Sequence, residues 1–244
     1  MRALSSLPPA SHGAAMIEFT VAATVLLGLA LAALETAHWH RTRQLLGVAL
    51  LEAARAGSTA GLAPGSMADA FETGLLPLYA TASTTGARAR LRQVHVRRAQ
   101  AAGLPAWRID ILSPRRAHFL DFNGGNRTGG FHAAPVDALS PDYLPERHAA
   151  HRQRWPGGRG PRSGDTVLDA AVLHLRLRYL HAPLTPGLGA LARALGRERR
   201  DAEGQAMARA GLLPIVLELR LTMQSLSAWP ADWSGGQGEI VMAP

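Results

Sequence analysis

The chain has 244 residues and no cysteine, which excludes a disulfide framework, a thiol nucleophile and any cysteine-based zinc site. Hydrophobic residues make up 47% of the chain, enough for the core of one or two domains, so wholesale disorder is excluded as well. The formal net charge is +8, but all 26 basic residues are arginines, a bias that the nucleotide composition of a genome can produce, so the charge is not taken as a functional signal. Aromatic residues are only 5%, low for a protein that stacks bases, which argues against nucleic acid as a partner.

An apolar run of 21 residues, 14–34, contains a single charged residue, Glu18. As a helix it is about 30 Å long at about 1.5 Å per residue, which matches the hydrocarbon core of a bilayer. The run therefore predicts a retained transmembrane helix. A cleaved secretory signal, with Arg2 as its basic region and a small-residue cleavage site around 30–33, is the alternative.

A short motif stands at the start of this run. Glu18 and Phe19 follow Gly13 at the fifth and sixth positions, and Ala14 comes directly after the glycine. An acid within an apolar segment is unfavourable in a bilayer, so it indicates a function unless it reaches the aqueous interface. The motif resembles the processing site of type IV prepilins. That resemblance implies cleavage between Gly13 and Ala14 by a prepilin peptidase.

Helical character is expected to continue from Glu35 to Arg55 and to end at Gly57 and Ser58. The apolar positions that recur at near-helical intervals in this segment are Ala37, Leu45, Val48, Leu51 and Ala54. A short helix with Ser66 as its N-cap is predicted next, ending before Pro77.

Three stretches alternate apolar and polar residues and are predicted strands: 107–111, 173–179 and 215–223. Because each has one polar face, we expect an antiparallel sheet that is packed on one side only. Further helices are predicted over 87–101, 115–122 and 188–195, and loops over 123–130 and 147–164. The predicted fold class is α+β, with a long N-terminal transmembrane helix followed by a small antiparallel sheet and flanking helices.

Ten histidines invite a metal site, but their spacing does not support one. His38 and His40 are two apart on a predicted helix and face apart. His148 and His151 lie in a predicted loop with few carboxylates, and His174 lies on the polar face of a strand. Since the sequence also contains neither a nucleophile elbow nor a phosphate-binding loop with its lysine, we expect no enzyme activity, no cofactor and no metal.

An arginine-rich tract lies between Glu146 and Asp165, with no acidic residue between the two. We predict a basic loop at 146–165, with Trp155 inside it. Such a tract attracts anions electrostatically, although a merely solvated loop has the same composition. The candidate anion contacts are Arg147, Arg152, Arg154, Arg159 and Arg162.

The order of these segments resembles the TadE-like proteins, minor pseudopilins of tight-adherence (Flp-type) pili. The likeness comprises the prepilin-like motif, a long helix running into 52–57, and an α+β segment with similar stretches at 111–114, 173–179 and 223–225. It implies a leader peptide at 1–13, a transmembrane and extended helix at 14–57, and a periplasmic domain at 58–244.

The resemblance implies a structural role in the assembly or initiation of a pilus, at the inner membrane. The implied partners are a prepilin peptidase, other pilins and pseudopilins, the pilus assembly platform and the membrane itself. Arg41 and Arg43 follow the apolar run and favour the opposite orientation, with a cytoplasmic C-terminal side. The second hypothesis is a secreted or membrane-anchored basic protein that contacts an anionic polymer through the arginine-rich tract; an enzyme is the third.

Overall fold

A computed structural model describes residues 12–80, 83–123, 138–196, 201–231, 233 and 237–242 of the chain. The described residues have an α+β fold with a long N-terminal helix, a small antiparallel sheet and flanking helices, which confirms the predicted fold class. The chain divides into two compact units, residues 1–41 and 42–244.

The helices are α1 (His12–Thr59), α2 (Pro64–Leu75), α3 (Thr84–Ala102), α4 (Arg116–Phe122), α5 (Leu144–Arg154), α6 (Val167–Ala170), α7 (Pro186–Leu195) and α8 (Ala202–Arg209), with 3-10 turns at Leu76–Tyr79 and Pro156–Gly158. The strands are β1 (Trp107–Ser113), β2 (Ala138–Leu139), β3 (Val172–His181), β4 (Leu213–Thr222), β5 (Ser227–Ala228) and β6 (Gly238–Val241).

Helix α1 has 48 residues without interruption and is therefore about 70 Å long, at about 1.5 Å per residue. Its predicted continuation past Glu35 is confirmed, and it ends at Thr59, close to the predicted stop. The carbonyl oxygen of Ser58, in the last turn, accepts hydrogen bonds from the backbone N–H groups of Gln224 (3.1 Å) and Ser225 (3.0 Å). The end of α1 is thus fixed to the segment that follows β4.

The buried face of the second half of α1 does not coincide with the apolar positions that recur at near-helical intervals in the sequence. Leu46, Ala49 and Leu50 are at most 1% exposed, whereas Val48 is 52% exposed. Of the five apolar positions that recur at near-helical intervals, only Ala54 is buried. Because residues 45–51 are apolar without interruption, the helical period fits more than one face there, and packing decides between them.

Helix α2 begins earlier than predicted, and Ser66 is not its N-cap. Pro64 occupies the first turn after Ala63, whose backbone is extended. A proline at the first helical position has the required φ and lacks only an N–H group that would have no partner there. Near the other end of α2, Gly74 packs so tightly on α1 that a Cβ atom would lie 2.7 Å from the Cα of Ala49.

The four-stranded sheet has the order β4-β3-β1-β6, with every neighbouring pair antiparallel. In the register of the sheet, Leu177 of β3 lies opposite Ile109 of β1 and Leu217 of β4. Leu177 and Ile109 are fully buried, so this face of the sheet is the core face. All three predicted strands are confirmed, and so is the prediction of a sheet packed on one side.

The opposite face of the sheet is polar and holds a set of ion pairs. Glu218 of β4 accepts from the guanidinium of Arg176 at 2.8 Å and lies 3.0 Å from the ring of His174. Arg178 pairs with Glu203 of α8. The predicted position of His174 on a polar strand face is therefore confirmed, and Glu218 is its partner there.

The predicted loop at 147–164 is wrong in its first half, because residues 144–154 form helix α5. Pro145 stands in the first turn, and Glu146 follows it, where an acid interacts favourably with the helix dipole. No residue of α5 is fully buried, so the helix has no apolar stripe from which to predict it. The second half, 155–164, contains a 3-10 turn, an isolated β-bridge from Arg159 to Thr166 and otherwise irregular backbone. Most of the predicted loop at 123–130 lies outside the described residues.

The helices predicted over 87–101, 115–122 and 188–195 are confirmed as α3, α4 and α7. Besides α5, five elements were not predicted: the helices α6 and α8 and the strands β2, β5 and β6. Strand β6 has four residues and is an edge of the sheet, too short to show a clear alternation.

Candidate functional site

The apolar side chains in the first half of α1 are exposed. From residue 16 to residue 34 every side chain is exposed except the half-buried Ala23. Ile17 is 69% exposed and Phe19 is 73% exposed. The chain therefore has one N-terminal helix that is long and apolar enough to cross a membrane.

The polar side chains of this half are satisfied within the helix, with one exception. The hydroxyl groups of Thr20, Thr24 and Thr36 each donate to the carbonyl oxygen four residues earlier, at 2.8 Å. Such bonds make threonine compatible with lipid, where water is absent. Glu18 is exposed and has no hydrogen-bond or ion-pair partner within the described residues. Unlike the threonine hydroxyl groups, the Glu18 carboxylate has no hydrogen-bond partner within the helix.

The predicted processing site lies at the start of α1. Gly13 and Ala14, on either side of the predicted cut, both belong to the first turn of the helix. Glu18 and Phe19 follow one turn later on exposed positions.

The arginine-rich tract forms one wall of a cavity of about 680 Å³. Three of the five predicted arginines line it: Arg147 and Arg154 from α5, and Arg162 from the segment after it. Arg152 and Arg159 do not line the cavity. Trp155 of the tract also lines the cavity, and so do Asp121, Phe122 and Tyr143, to which the sequence did not point.

Arg147 is the anchored arginine of the cavity. Its guanidinium donates to the carbonyl oxygen of Phe122 at 2.9 Å and to that of Ser140. Burial lowers the pKa of Arg147 below its ordinary value, and the nearby Asp142 opposes that shift. The side chain thus joins α5 to the end of α4 and to the segment after β2, while its charge stays at the cavity.

The aromatic side chains of the cavity pack on one another. The ring of His151 stacks on that of Trp155 with 5.0 Å between ring centres and 4° between planes. The guanidinium carbon of Arg154 lies 5.1 Å from the centre of the Trp155 ring, a cation–π contact. Burial, followed by the charges of Arg147 and Arg154, lowers the pKa of His151 below its ordinary value. His151 therefore lies on helix α5 and packs against Trp155, and the prediction that it lies in a loop is wrong.

The charge of the cavity is not balanced. None of the ion pairs formed among the described residues involves Arg147, Arg154 or Arg162. The cavity carboxylate, Asp121, instead accepts from the backbone N–H groups of Arg162 and Ser163, at 3.1 and 2.7 Å. Three arginines of the sheet, Arg108, Arg176 and Arg178, do have carboxylate partners. The cavity is thus a region of uncompensated positive charge.

A second polar cluster consists of His118, Asp165 and Arg115, and its hydrogen bonds hold these side chains in fixed positions. His118 Nε2 lies 2.9 Å from Asp165, and His118 Nδ1 accepts from the backbone N–H of Arg115 at 2.9 Å. Burial acts to raise the pKa of Asp165, but hydrogen bonds from His118 and Arg115 outweigh it and lower the pKa. Both ring nitrogens of His118 are occupied, so neither is available as a base towards the nearby Ser113.

A third polar cluster, also not predicted, is buried between α3 and β3. The hydroxyl oxygens of Tyr79 and Tyr179 are 2.7 Å apart, and His95 Nε2 lies 3.2 Å from that of Tyr79. Arg98 donates to the Tyr179 hydroxyl at 2.8 Å. His95 is fully buried, and burial, followed by the charge of Arg98, lowers its pKa to about 3. The cluster joins α3, β3 and the 3-10 turn that contains Tyr79, and it has no opening to solvent at His95.

Across the part of the chain that the structure describes, no group of three or more histidine, aspartate or glutamate side chains is placed to hold a metal ion. No known family, no curated protein and no solved structure matches the chain.

Proposed function

We propose that this protein is a prepilin-like subunit that the first half of α1 holds in the inner membrane, with the domain from residue 58 onward in the periplasm. Its role is structural rather than catalytic: it contributes to the assembly or initiation of a tight-adherence type pilus. Prepilin peptidase removes residues 1–13, and other pilins and the assembly platform are its partners. The observation that carries the proposal is the exposed apolar half of α1 with Glu18 as its one unpartnered charge.

Glu18 gives the apolar helix a means of selecting a neighbour. Cleavage after Gly13 creates an α-amino group at Ala14 with a pKa of about 7.7–8.0, so it is mostly protonated at neutral pH. In a staggered assembly the amine of an adjacent subunit approaches Glu18. Such a pair in a low-dielectric environment favours the register that brings the two charges together, and so provides specificity more than net stability.

The test is Glu18→Val in a pilus-forming host, with Thr20→Val, a polar-to-apolar change two residues away, as the matched control. We expect Glu18→Val to keep leader removal and to insert as well as the parent or better, because a membrane penalty of up to about 3 kcal/mol is removed. Co-purification with partner pilins and surface piliation should fall by about tenfold or more, equivalent to about 1.4 kcal/mol. Thr20→Val should assemble normally. Normal piliation with Glu18→Val would show that the acid has no role in assembly.

A second candidate function is the binding of an anionic polymer, and the uncompensated charge of the arginine cavity supports it. Arg154 and Arg162 are exposed, are not paired with any described carboxylate, and line the same cavity as the anchored Arg147. Guanidinium groups suit the oxyanions of sulfate, phosphate and carboxylate, to which they donate two parallel hydrogen bonds. This function is compatible with the first, because the cavity lies in the second unit.

The test compares two variants that lose the same charge. Arg154→Gln with Arg162→Gln removes the two exposed cavity arginines, and Arg90→Gln with Arg97→Gln removes two exposed arginines of α3. We expect the cavity variant to elute from a heparin column at clearly lower salt, with affinity reduced by about tenfold, whereas the α3 variant stays close to the parent. Equal losses in both variants would assign the binding to net charge alone.

A further inference from the structure

The outer edge of β4 is an open sheet edge. Strand β4 is the first strand in the order β4-β3-β1-β6, and its ten residues pair with β3 on one side only. On the other side, no described segment forms backbone hydrogen bonds with it. A long open edge presents a row of free N–H and C=O groups and is a template for another strand.

The core face of the sheet is only partly covered at this edge. Leu173, Leu175 and Leu177 of β3 are fully buried. Their neighbours on the same face of β4, Leu221, Leu219 and Leu217, are half-buried. The layer of apolar side chains thus continues to the edge of the sheet, whereas the residues that pack against it cover the leucines of β4 only partly.

Two residues of opposite charge flank Leu219 in β4. Glu218 and Arg220 stand on either side of it, on the polar face of the sheet, and no carboxylate of the described chain is paired with Arg220. If two copies of β4 pair antiparallel about Leu219, the Glu218 of each lies opposite the Arg220 of the other. Opposite charges at directly opposed positions stabilise a strand pair.

Other registers do not have this match. A pair centred on Glu218 opposes two glutamates, and a pair centred on Arg220 opposes two arginines; like charges directly opposite are destabilising. A pair centred on Leu217 sets Glu218 against Val216. The register about Leu219 also leaves Pro214, which has no N–H group to donate, outside the paired segment 216–222.

We propose that β4 is a homodimerisation edge: two copies of this chain pair through residues 216–222 about a two-fold axis at Leu219, in one continuous eight-stranded sheet. Leu217 of each copy then lies opposite Leu221 of the other, and the half-buried leucines of the core face cover one another. This interface lies in the second unit, involves neither Glu18 nor the arginine cavity, and does not depend on the proposed role in pilus assembly.

The absence of cysteine from the sequence allows a direct test by oxidative cross-linking of the full-length chain in membranes. In the proposed register the two copies of residue 219 are directly opposite, with Cα atoms about 5 Å apart, a distance that a disulfide spans. The two copies of residue 216 are about 20 Å apart, at about 3.3 Å per residue. We expect Leu219→Cys to form a covalent dimer in high yield, and Val216→Cys, although its parent side chain is 46% exposed, to form at least about tenfold less. Absence of the dimer with Leu219→Cys, or equal yields at both positions, would overturn the proposal.

A second measurement needs no cysteine and uses the mass of the detergent-solubilised full-length chain. Arg220→Glu sets glutamates against each other at two positions of the interface, so we expect it to convert the dimer to a monomer. Arg220→Lys keeps the charge and should leave the dimer in place. A parent chain that is monomeric, or an Arg220→Glu chain that dimerises as the parent does, contradicts the proposed interface.

Discussion

At the scale of single residues, burial decides which protonation state a side chain has. His95 is fully enclosed by α3, Tyr79 and Tyr179, and its pKa of about 3 keeps the imidazole neutral over the physiological range. In the unfolded chain the same group has a pKa of about 6.5. The unfolded state therefore binds a proton between these two values when the folded state does not, and this difference makes the stability depend on pH.

We expect the free energy of unfolding to fall as the pH drops below 6.5, by about 1.4 kcal/mol per pH unit from His95, or about 2 kcal/mol at pH 5. His95→Phe should flatten this slope, because no proton is then taken up at this position on unfolding. Urea unfolding of the full-length chain in detergent, followed by tryptophan fluorescence at several pH values, measures the slope. His40→Phe, at an exposed position of α1, is the control and should keep the slope of the parent; an unchanged slope in His95→Phe would contradict this role.

The buried cluster of Tyr79, His95 and Tyr179 could be predicted from the sequence only in part. His95 follows Leu91 by four residues and Ala87 by eight, and all three are buried. The helical period therefore places His95 on the core face of α3, and this signal was available in the sequence. Its partner Tyr179, on a different element and 84 residues away, was not, because side-chain pairing across elements depends on packing.

At the scale of elements, the contact between α1 and α2 depends on a close approach of backbones at Gly74. A Cβ atom there would meet the Cα of Ala49 at 2.7 Å, which is closer than such atoms come. Gly47, in the middle of α1, has nothing within 4 Å of the corresponding position. Both glycines lie in helices, but only Gly47 has room for a Cβ atom.

We expect the same substitution to have opposite effects at the two sites. Gly74→Ala should lower the free energy of unfolding by about 1–3 kcal/mol, because α1 and α2 must move apart. Gly47→Ala should raise it by up to about 1 kcal/mol through helix propensity. Urea unfolding of the two variants beside the parent measures both. A neutral Gly74→Ala would show that the helices are not in this close contact.

The strands β1, β3 and β4, which alternate apolar and polar residues, were predicted from the sequence, whereas helix α5 was not. The alternation in β3, where buried leucines are interleaved with His174, Arg176 and Arg178, fixes both the strand and its core face. Helix α5 has no buried residue, and its arginines gave it the composition of a loop. The arginine content made the basic character of the tract predictable. That the tract lines one cavity with Asp121 and Phe122 was not predictable, because it depends on how α4 and α5 pack.

At the scale of the whole molecule, the two halves of α1 differ in exposure. Residues 16–34 carry exposed apolar side chains, while residues 42–59 belong to the second unit and contribute buried positions such as Leu46 and Leu50 to it. The proposed function assigns the first half to the membrane, where lipid surrounds it until neighbouring helices replace the lipid. Glu18, which has no hydrogen-bond or ion-pair partner within the described residues, lies in this exposed half.

The account depends most directly on cleavage after Gly13, which releases the amino group that Glu18 is proposed to bind in a neighbour. The measurement is the intact mass of the full-length chain, extracted from the membrane of a host with an active prepilin peptidase and of the same host without it. We predict a chain that begins at Ala14 in the first host and one that keeps the leader in the second. A chain that keeps residues 1–13 in both hosts, or one that begins near residue 34, would contradict the account.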